Sequence, residues 1–360
     1  MTRPRQAFWI GGIAGAVLIC LTWLGFVGSR GLGLYITAGF GAVILVSVAI
    51  WAYGTALSVP QALFISLVGY PGSGKTVFLT MLFYEMMTYA STPAEVQFAP
   101  YGPETTQGIA QYHQLLANRV WPPSTVEPFP MRATAALGWA PKRYHIILTD
   151  RPGHESEDLA DQVQMPWMHR TEYFRQIVGS DAVFIVVDCG LIVGDRAKAS
   201  ETETKLIASV VELVTAKAGP FRRTMQTPLA ILFLKADLLG AAGSSLLGVP
   251  FEADTALAII EHSVQKASAA ADSPVVQVRP SPSGRIPFGD LVRLCERSSA
   301  QCAFFFIQAV GEVGPDELPP VSLAPGGVID PLLWVLQCRY HRQRGERHVE
   351  SSALGTTPQA

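Results

Sequence analysis

Residues 69–76 read Gly-Tyr-Pro-Gly-Ser-Gly-Lys-Thr, a complete G-x-x-x-x-G-K-[ST] pattern. The glycines of such a loop let the backbone curl so that successive N–H groups point at phosphate oxygens, while the lysine reaches the β- and γ-phosphates and the threonine hydroxyl binds Mg²⁺. A β-prone apolar run, 63–68, precedes the loop, and an apolar helical run, 77–89, follows it. This strand-loop-helix setting predicts a nucleotide site at the N-terminus of a helix.

The loop and the start of its helix supply most of the predicted nucleotide contacts. Lys75 is also predicted to be catalytic, and Thr76 is also predicted to be a Mg²⁺ ligand. The full set of predicted contacts in this stretch is Gly69, Gly72, Ser73, Gly74, Lys75, Thr76 and Val77.

The first part of the 360-residue chain differs in composition from the rest. Residues 8–28 and 34–54 contain no charged residue, and each has the length of a bilayer-spanning helix. Since only 29–33 separates them, the two spans are predicted to form a transmembrane hairpin within residues 1–58. Arg3 and Arg5 flank the first span, against Arg30 in the connector. The positive-inside rule then places both ends of the hairpin, and the nucleotide domain, on the cytoplasmic side of an inner or cytoplasmic membrane.

Two other interpretations of these apolar runs stay open. The first run can be a cleaved signal peptide, although it lacks a convincing small-x-small cleavage site, and both runs can be packed core helices, although neither has a polar face. The five cysteines form no C-x-x-C pair and no metal-ligand spacing, which fits a reduced compartment. The net charge of −2 gives no reason to expect a nucleic-acid partner.

Residues 59–338 are predicted to form one α/β domain, a three-layer sandwich around a mostly parallel sheet. Apolar runs at 144–149, 182–187, 229–234 and 303–307 predict strands, with helices predicted at 157–177, 201–217, 252–270 and 288–297. The runs 131–137 and 144–149 predict an antiparallel hairpin. The polar stretch 91–129 is predicted to lie outside the core, with one helix at 105–118. A last helix begins at 330, and 339–360 is predicted to be a disordered polar tail.

The strand at 144–149 ends in Asp150-Arg-Pro-Gly153. The carboxylate of Asp150 can hold Mg²⁺ through water, and the N–H of Gly153 can approach a γ-phosphate. The alternative is an aspartate that merely begins a turn. Many P-loop ATPases place a glutamate directly after this aspartate as general base, and Arg151 in that position disfavours ATPase chemistry of that kind.

Two later strand ends carry a pattern suited to a guanine base. Asp237, after the strand at 229–234, can accept hydrogen bonds from guanine N1 and N2 while the stem of Lys235 lies against the ring. The alternative role for Asp237 is to cap the following helix. At the end of the last strand, the N–H of Ala309 can meet guanine O6.

With these elements in order, residues 63–336 resemble the small-GTPase-like branch of P-loop GTPases. The chain departs from the usual motifs at Leu234, where Asn or Thr is common, and at Gln308, where Ser is common. It also resembles the bacterial double-GTPase group, through Trp-Pro-Pro-x-Thr at 121–125 and Pro-Leu-x-Trp at 331–334, and more distantly the signal recognition particle receptor β subunit. By the resemblance, Gly69, Gly74, Lys75 and Thr76 match the first GTPase motif, Asp150 and Gly153 the third, Lys235 and Asp237 the fourth, and Ala309 the fifth.

The resemblance implies two further catalytic residues. The second GTPase motif is a threonine at a characteristic distance before Asp150, which Thr125 satisfies as a catalytic residue and Mg²⁺ ligand, with Thr105, Thr106 and Ser124 as competitors. His154 stands where translational GTPases have a histidine that positions the attacking water; the alternative is a loop histidine that faces solvent.

No arginine finger can be assigned from the sequence, and a partner can supply one in trans. Candidates by proximity alone are Arg119, Arg132 and Arg151. Asp188, at another strand end, is interpreted as a turn or capping residue rather than a catalytic one.

The sequence therefore predicts a membrane-anchored GTP-binding protein that hydrolyses GTP with Mg²⁺ and acts as a molecular switch for a protein partner. That partner can be a second GTPase, because the double-GTPase resemblance implies pairing and a role in bacterial conflict systems; the resemblance to the receptor subunit implies docking of a protein-targeting complex. The rival predictions are a P-loop ATPase and a nucleotide-gated membrane effector or scaffold of a bacterial conflict system.

Overall fold

A computed structural model of the chain describes residues 47, 60–88, 96–137, 142–153, 155, 171–218, 224–271, 286–314 and 316–344. The chain divides into two compact units, residues 1–60 with 140–143 and residues 61–139 with 144–360. The architecture below is that of the second unit.

A seven-stranded sheet organises this unit, in the order β2-β3-β4-β1-β5-β6-β7. The pairs β4–β1, β1–β5, β5–β6 and β6–β7 are parallel, whereas β2 and β3 are antiparallel. The predicted mixed sheet of mostly parallel strands is therefore confirmed. The strands are β1 (Gln61–Val68), β2 (Val96–Pro100), β3 (Phe129–Leu137), β4 (Lys142–Asp150), β5 (Ala182–Asp188), β6 (Leu229–Leu234) and β7 (Cys302–Ile307).

Helices connect most of these strands, as expected where parallel neighbours need crossovers. They are α1 (Lys75–Thr88), α2 (Pro103–Ala117), α3 (Glu172–Gly179), α4 (Cys189–Val193), α5 (Arg196–Ala218), α6 (Ala241–Ser244), α7 (Ala253–Ala271), α8 (Gly289–Ser298) and α9 (Asp330–Arg344). A 3₁₀ turn, Ala236–Leu239, follows β6.

Two apolar clusters cover the two faces of the sheet. Successive side chains of a strand point to opposite faces, so Leu232 joins one cluster and Phe233 the other. Helices α1, α2 and α9 pack in the first cluster, and α3, α5, α7 and α8 pack in the second. Because both faces are covered, β6 is buried along its whole length, which is why it reads as a continuous apolar run. The result is a three-layer sandwich.

Three predicted elements differ from the structure. The stretch 91–129 contains the edge strand β2, whose Phe98 is fully buried, so the prediction that it lies outside the core is wrong. Helix α9 continues to Arg344, so the predicted start of the disordered tail at 339 is also wrong. Helix α3 begins only at Glu172; residues 157–170 of the helix predicted at 157–177 lie outside the described residues.

Within the described part of the chain, no helix is both long enough and apolar enough to cross a bilayer. The predicted spans, 8–28 and 34–54, lie outside that part except for Ser47. The transmembrane hairpin therefore stays a prediction.

Candidate functional site

The loop between β1 and α1 has the conformation that its glycines permit. Gly72 and Gly74 have φ angles of 77° and 90°, a region that residues with a Cβ rarely adopt. A Cβ on Gly69 would lie 2.9 Å from Cβ of Val186 on β5. The loop is therefore held close against the sheet, with the N-terminus of α1 behind it.

Lys75 is folded back onto this loop. Its Nζ donates hydrogen bonds to the carbonyl oxygens of Gly69 and Tyr70, at 2.6 and 3.0 Å. Burial lowers the pKa of Lys75 to about 8, although the negative charge of Asp150 acts in the opposite direction. The ammonium group of Lys75 therefore lies at the loop, where phosphate oxygens could replace its two carbonyl partners.

Three predicted metal ligands from distant parts of the sequence meet beside the loop. The hydroxyls of Thr76 and Thr125 donate to Oδ2 of Asp150, at 2.8 and 2.6 Å, and the two hydroxyl oxygens lie 2.8 Å apart. Oδ1 of Asp150 is buried and has no hydrogen-bond partner. Burial raises the pKa of Asp150, with the two threonine hydroxyls, Lys75 and the nearby backbone N–H of Arg151 opposing that rise. An unpartnered carboxylate oxygen beside two hydroxyls is a set of donors that fits a divalent cation.

Mg²⁺ prefers oxygen ligands of this type in nucleotide sites, where phosphates and water complete its coordination. Among the residues with described positions, no group of three or more His, Cys, Asp or Glu side chains is placed to hold a metal. The fit to Mg²⁺ thus rests on Thr76, Thr125 and Asp150 together with a bound nucleotide.

The competitors of Thr125 lie elsewhere. Thr105 is buried and accepts a hydrogen bond from the N–H of Arg132, Thr106 donates to the carbonyl of Gly102, and the side chain of Ser124 is exposed. Thr125 is the hydroxyl residue of this group that meets Asp150.

Gly153 lies directly against the phosphate loop. A Cβ at this position would be 2.4 Å from the nitrogen and 2.6 Å from Cα of Pro71, so only glycine fits without moving the loop. The two backbones approach closely where the sequence predicts a γ-phosphate contact. His154, which follows, is outside the described residues.

We call the set above the phosphate end of the site, and Leu234, Lys235, Asp237 and Ala309 the base end. Nζ of Lys235 bonds to Oδ2 of Asp188 at 2.6 Å and approaches the carbonyl of Gly72 at 3.4 Å. Asp188 also accepts from the N–H of Gly190 and caps α4, which confirms its predicted capping role. The pairing of Asp188 with Lys235 was not predicted, although Asp188 ends β5 and Lys235 follows the neighbouring parallel strand β6.

Asp237 is half-buried beside the loop that follows β7. Burial raises the pKa of Asp237, while hydrogen bonds from its own N–H and from the N–H of Val313 oppose the rise. The N-cap residues of the 3₁₀ turn and of α6 are Lys235 and Gly240, so Asp237 caps neither helix. Its carboxylate is therefore held next to the segment that carries Ala309.

Two further base-end residues belong to the core. Ala309 is partly buried and packs against the first apolar cluster. Leu234 is 1% exposed, and its Cδ1 is 3.4 Å from where a Cβ on Gly74 would stand. An apolar contact thus joins β6 to the phosphate loop where these GTPases usually have a polar side chain.

Two of the three arginines predicted by proximity, Arg119 and Arg151, bond through their side chains to other parts of the chain. Arg151 bonds to Glu155 at 2.9 Å and to Gln176, and its guanidinium lies 5.2 Å from the ring centre of Tyr173. Arg119 bonds to Asp316 and to the carbonyl of Pro319. The backbone N–H of Arg132 donates to Oγ1 of Thr105 at 3.2 Å.

A cavity of about 500 Å³ lies next to Arg151, between the end of β4 and α3. Its size suits a small ligand, but its lining contains no residue of the phosphate loop. We place the nucleotide at the loop instead, because the curled backbone, Lys75 and the Mg²⁺-type donors are all there. The lining residues are Pro128, Pro130, Thr149, Arg151, Glu155, Thr171, Glu172, Tyr173 and Gln176.

A phosphate loop that joins β1 to α1, with its threonine bonded to an aspartate at the end of the neighbouring strand, is the arrangement of a P-loop nucleoside triphosphatase. The family model for Double-GTPase 2 matches residues 63–293. Because this match covers more than half of the chain, the chain belongs to the Double-GTPase 2 family, and it is a GTP hydrolase. The predicted resemblance to the double-GTPase group is confirmed.

Solved structures of GTPases and their relatives are also similar to this chain. One is the Arl6 BBS3 small GTPase from Trypanosoma brucei with bound nucleotide analogue GppNp, at 13% identity over 78% of this chain and 99% of that chain, with a TM-score of 0.37. Another is the mammalian SRP receptor, at 16% identity over 71% of this chain and 93% of that chain, with a TM-score of 0.27. No curated protein matches the sequence.

Proposed function

We propose that this protein is a membrane-anchored GTPase that hydrolyses GTP with Mg²⁺ and acts as a molecular switch for a protein partner. The observation that carries the proposal is the meeting of Thr76 and Thr125 on Asp150, whose Oδ1 is buried without a partner. A cation bound there would satisfy this oxygen, because a buried unpaired carboxylate oxygen is costly.

In this proposal the phosphate end binds and orients the triphosphate. Lys75 leaves the carbonyls of Gly69 and Tyr70 and bonds to the phosphates, together with loop N–H groups from Gly72 to Val77. Thr76, Thr125 and Asp150 hold Mg²⁺, which when bound neutralises charge that develops on the transferred phosphoryl group. The N–H of Gly153 faces the γ-phosphate, and His154 orients the attacking water.

The base end selects guanine. Asp237 accepts from guanine N1 and N2, the stem of Lys235 lies along the ring, and the N–H of Ala309 faces O6. Adenine offers no donors that match Asp237 in this way. The hydrogen bond from Val313 to Asp237 supports this assignment, because it fixes the carboxylate beside the Ala309 segment.

The switch consists of the segment before Thr125 and the loop after Gly153. In this proposal GTP and Mg²⁺ order both segments, so both rearrange when the γ-phosphate leaves. The surface they form with GTP bound is then the surface for a protein partner. A second GTPase is the partner that we favour, since the family is named for double GTPases.

The membrane anchor is the part of the proposal that rests on composition. Residues 8–28 and 34–54 are uncharged and long enough to span a bilayer. Strand β1 begins at Gln61, so few residues separate the second span from the sheet. The GTPase domain would therefore face the cytoplasm, close to an inner or cytoplasmic membrane.

A titration of the purified full-length protein with GTP and with ATP, each with and without Mg²⁺, tests the proposal. We expect GTP to bind more tightly than ATP, and Mg²⁺ to strengthen GTP binding and support hydrolysis. Equal affinities for GTP and ATP would contradict the base-end assignment. Removal of residues 1–54 should release the protein from membranes and leave its GTP cycle intact, whereas a membrane effector or scaffold would lose its function.

A further inference from the structure

A contact between two strained segments borders the site without belonging to its motifs. Arg119 and Glu317 have φ angles of 61° and 57°, and both lie where the segment before Thr125 meets the loop after β7. Non-glycine residues keep such conformations only where their surroundings fix them, and they concentrate at functional sites. We call this contact, between residues 119–121 and residues 316–319, the brace.

The brace consists of three interactions. The guanidinium of Arg119 pairs with the carboxylate of Asp316, and its Nε donates to the carbonyl of Pro319 at 3.0 Å. Nε1 of Trp121 donates to the carbonyl of Glu317 at 2.8 Å. One side therefore contributes two side chains, and the other contributes one carboxylate and two carbonyls.

The brace lies at the start of the segment that leads from α2 to Thr125. Arg119 follows Asn118, the C-cap of α2, where the chain leaves the helix. From there the chain runs to Thr125, whose hydroxyl meets Asp150. Because Arg119 and Trp121 are held to a separate loop, the path from α2 to Thr125 is fixed near its start.

The opposite side of the brace leads to the base end. Val313, a short distance before Asp316 in the same loop, lies close enough to Asp237 to act on the pKa of its carboxyl. The loop after β7 therefore runs from the base end to the brace.

We propose that Arg119 and Asp316 are positioning residues that hold Thr125 at the metal site. This inference rests on the proposed function and adds to it a pair outside the GTPase motifs. Asp316 lies beyond the family match, which ends at 293. The pair acts through Thr125, so it should matter for the GTP-bound state and little for GDP.

The experiment compares full-length Asp316→Asn, Arg119→Ala and the double variant in detergent micelles. The side chains of the pair are 37% and 44% exposed, so each single variant should lose only about two- to fivefold in kcat and in affinity for a GTP analogue with Mg²⁺. Affinity for GDP should stay the same. The double variant should lose no more than Arg119→Ala, because Asp316 acts through Arg119.

A matched control is Glu261→Ala, which removes an exposed carboxylate bonded to Gln265 on α7 and should change none of these values. Arg119→Lys, which keeps the charge, should recover part of the loss. Equal losses for GTP and GDP, or additive losses in the double variant, would overturn the inference by showing a merely structural pair. If the wild-type protein failed to bind GTP, the proposed function itself would fail; unchanged variants of a GTP-binding wild type would reject only the brace.

Discussion

The phosphate end and the base end differ in how completely the protein builds them. At the phosphate end, Lys75, Thr76, Thr125 and Asp150 already contact one another or the loop at hydrogen-bond distances. At the base end, Lys235 is paired with Asp188, which is no part of the motif, and Leu234 offers only an apolar contact. We therefore expect the protein to bind the triphosphate tightly and to discriminate less strongly between guanine and adenine.

Physical chemistry explains why the two ends differ in this way. Charged hydrogen bonds between buried groups and phosphates are strong, since an unpaired buried charge is costly. Base recognition relies on a half-buried carboxylate, whose hydrogen bonds compete with water. Four measurements would sharpen or break this contrast, and they follow in order of expected effect.

Replacing Lys75 should have the largest effect. Lys75→Ala removes charge-assisted hydrogen bonds to the phosphates, and we expect affinity for both GTP and GDP to fall by about 100- to 1,000-fold. Binding can be measured by calorimetry or with a fluorescent nucleotide. The exposed Lys198→Ala, on α5, is the control and should bind like the wild type. An unchanged affinity in Lys75→Ala would place the nucleotide elsewhere.

The next effect concerns Thr125. Thr125→Ala should reduce GTP hydrolysis by about 10- to 100-fold, because one oxygen donor to Mg²⁺ is lost, and should raise the Mg²⁺ concentration needed for half-maximal rate. Thr125→Ser keeps the hydroxyl and should retain most of the activity. Ser124→Ala removes the adjacent, exposed hydroxyl and should have no effect. If the Ser124 variant were the inactive one, the metal ligand would be misassigned.

A smaller effect is expected at the base end. Asp237→Ala should reduce the preference for GTP over ATP by about tenfold through a loss of GTP affinity, since two hydrogen bonds to a charged acceptor disappear from a partly solvated position. ATP affinity should not change. Asp254→Ala, on α7, removes an exposed carboxylate as a control. A loss of equal size for ATP would mean that Asp237 supports the loop rather than the base.

The smallest effect is on pH dependence. The pKa of Lys75 is lowered to about 8 in the free protein, and phosphates favour its charged form, so binding above this pH requires proton uptake. Affinity for GTP should therefore fall as pH rises, by about fourfold between pH 7 and pH 8.5. Lys75→Arg should lose this dependence. Ionisation of guanine at higher pH affects both proteins equally, so their difference isolates Lys75.

Much of the sheet could be predicted because its central strands are buried on both faces. Strands β5, β6 and β7 read as unbroken apolar runs, and their predicted positions agree closely with the structure. Strand β2 could not be recognised, since Val-Gln-Phe-Ala-Pro contains one fully buried residue, Phe98, and gains its partners only from β3. An edge strand of this kind is decided by tertiary pairing rather than by its own pattern.

The candidate site shows the same contrast between features encoded by local sequence and features that depend on tertiary structure. Local motifs identified the loop, and spacing selected Thr125, which the fold brings to Asp150 across 25 residues. No local pattern predicts that Lys235 meets Asp188, or that Arg119 meets Asp316 across 197 residues. Such pairs depend on the order of the strands in the sheet. No short stretch of the sequence encodes that order.

The folded-back position of Lys75 has a consequence for small anions. The ammonium group of Lys75 bonds to two carbonyls of its own loop, so a phosphate that binds there must replace those bonds. A single inorganic ion offers little beyond that exchange, whereas a nucleotide also brings a metal and a base. The loop therefore favours anions by the number of attachments they make rather than by charge alone.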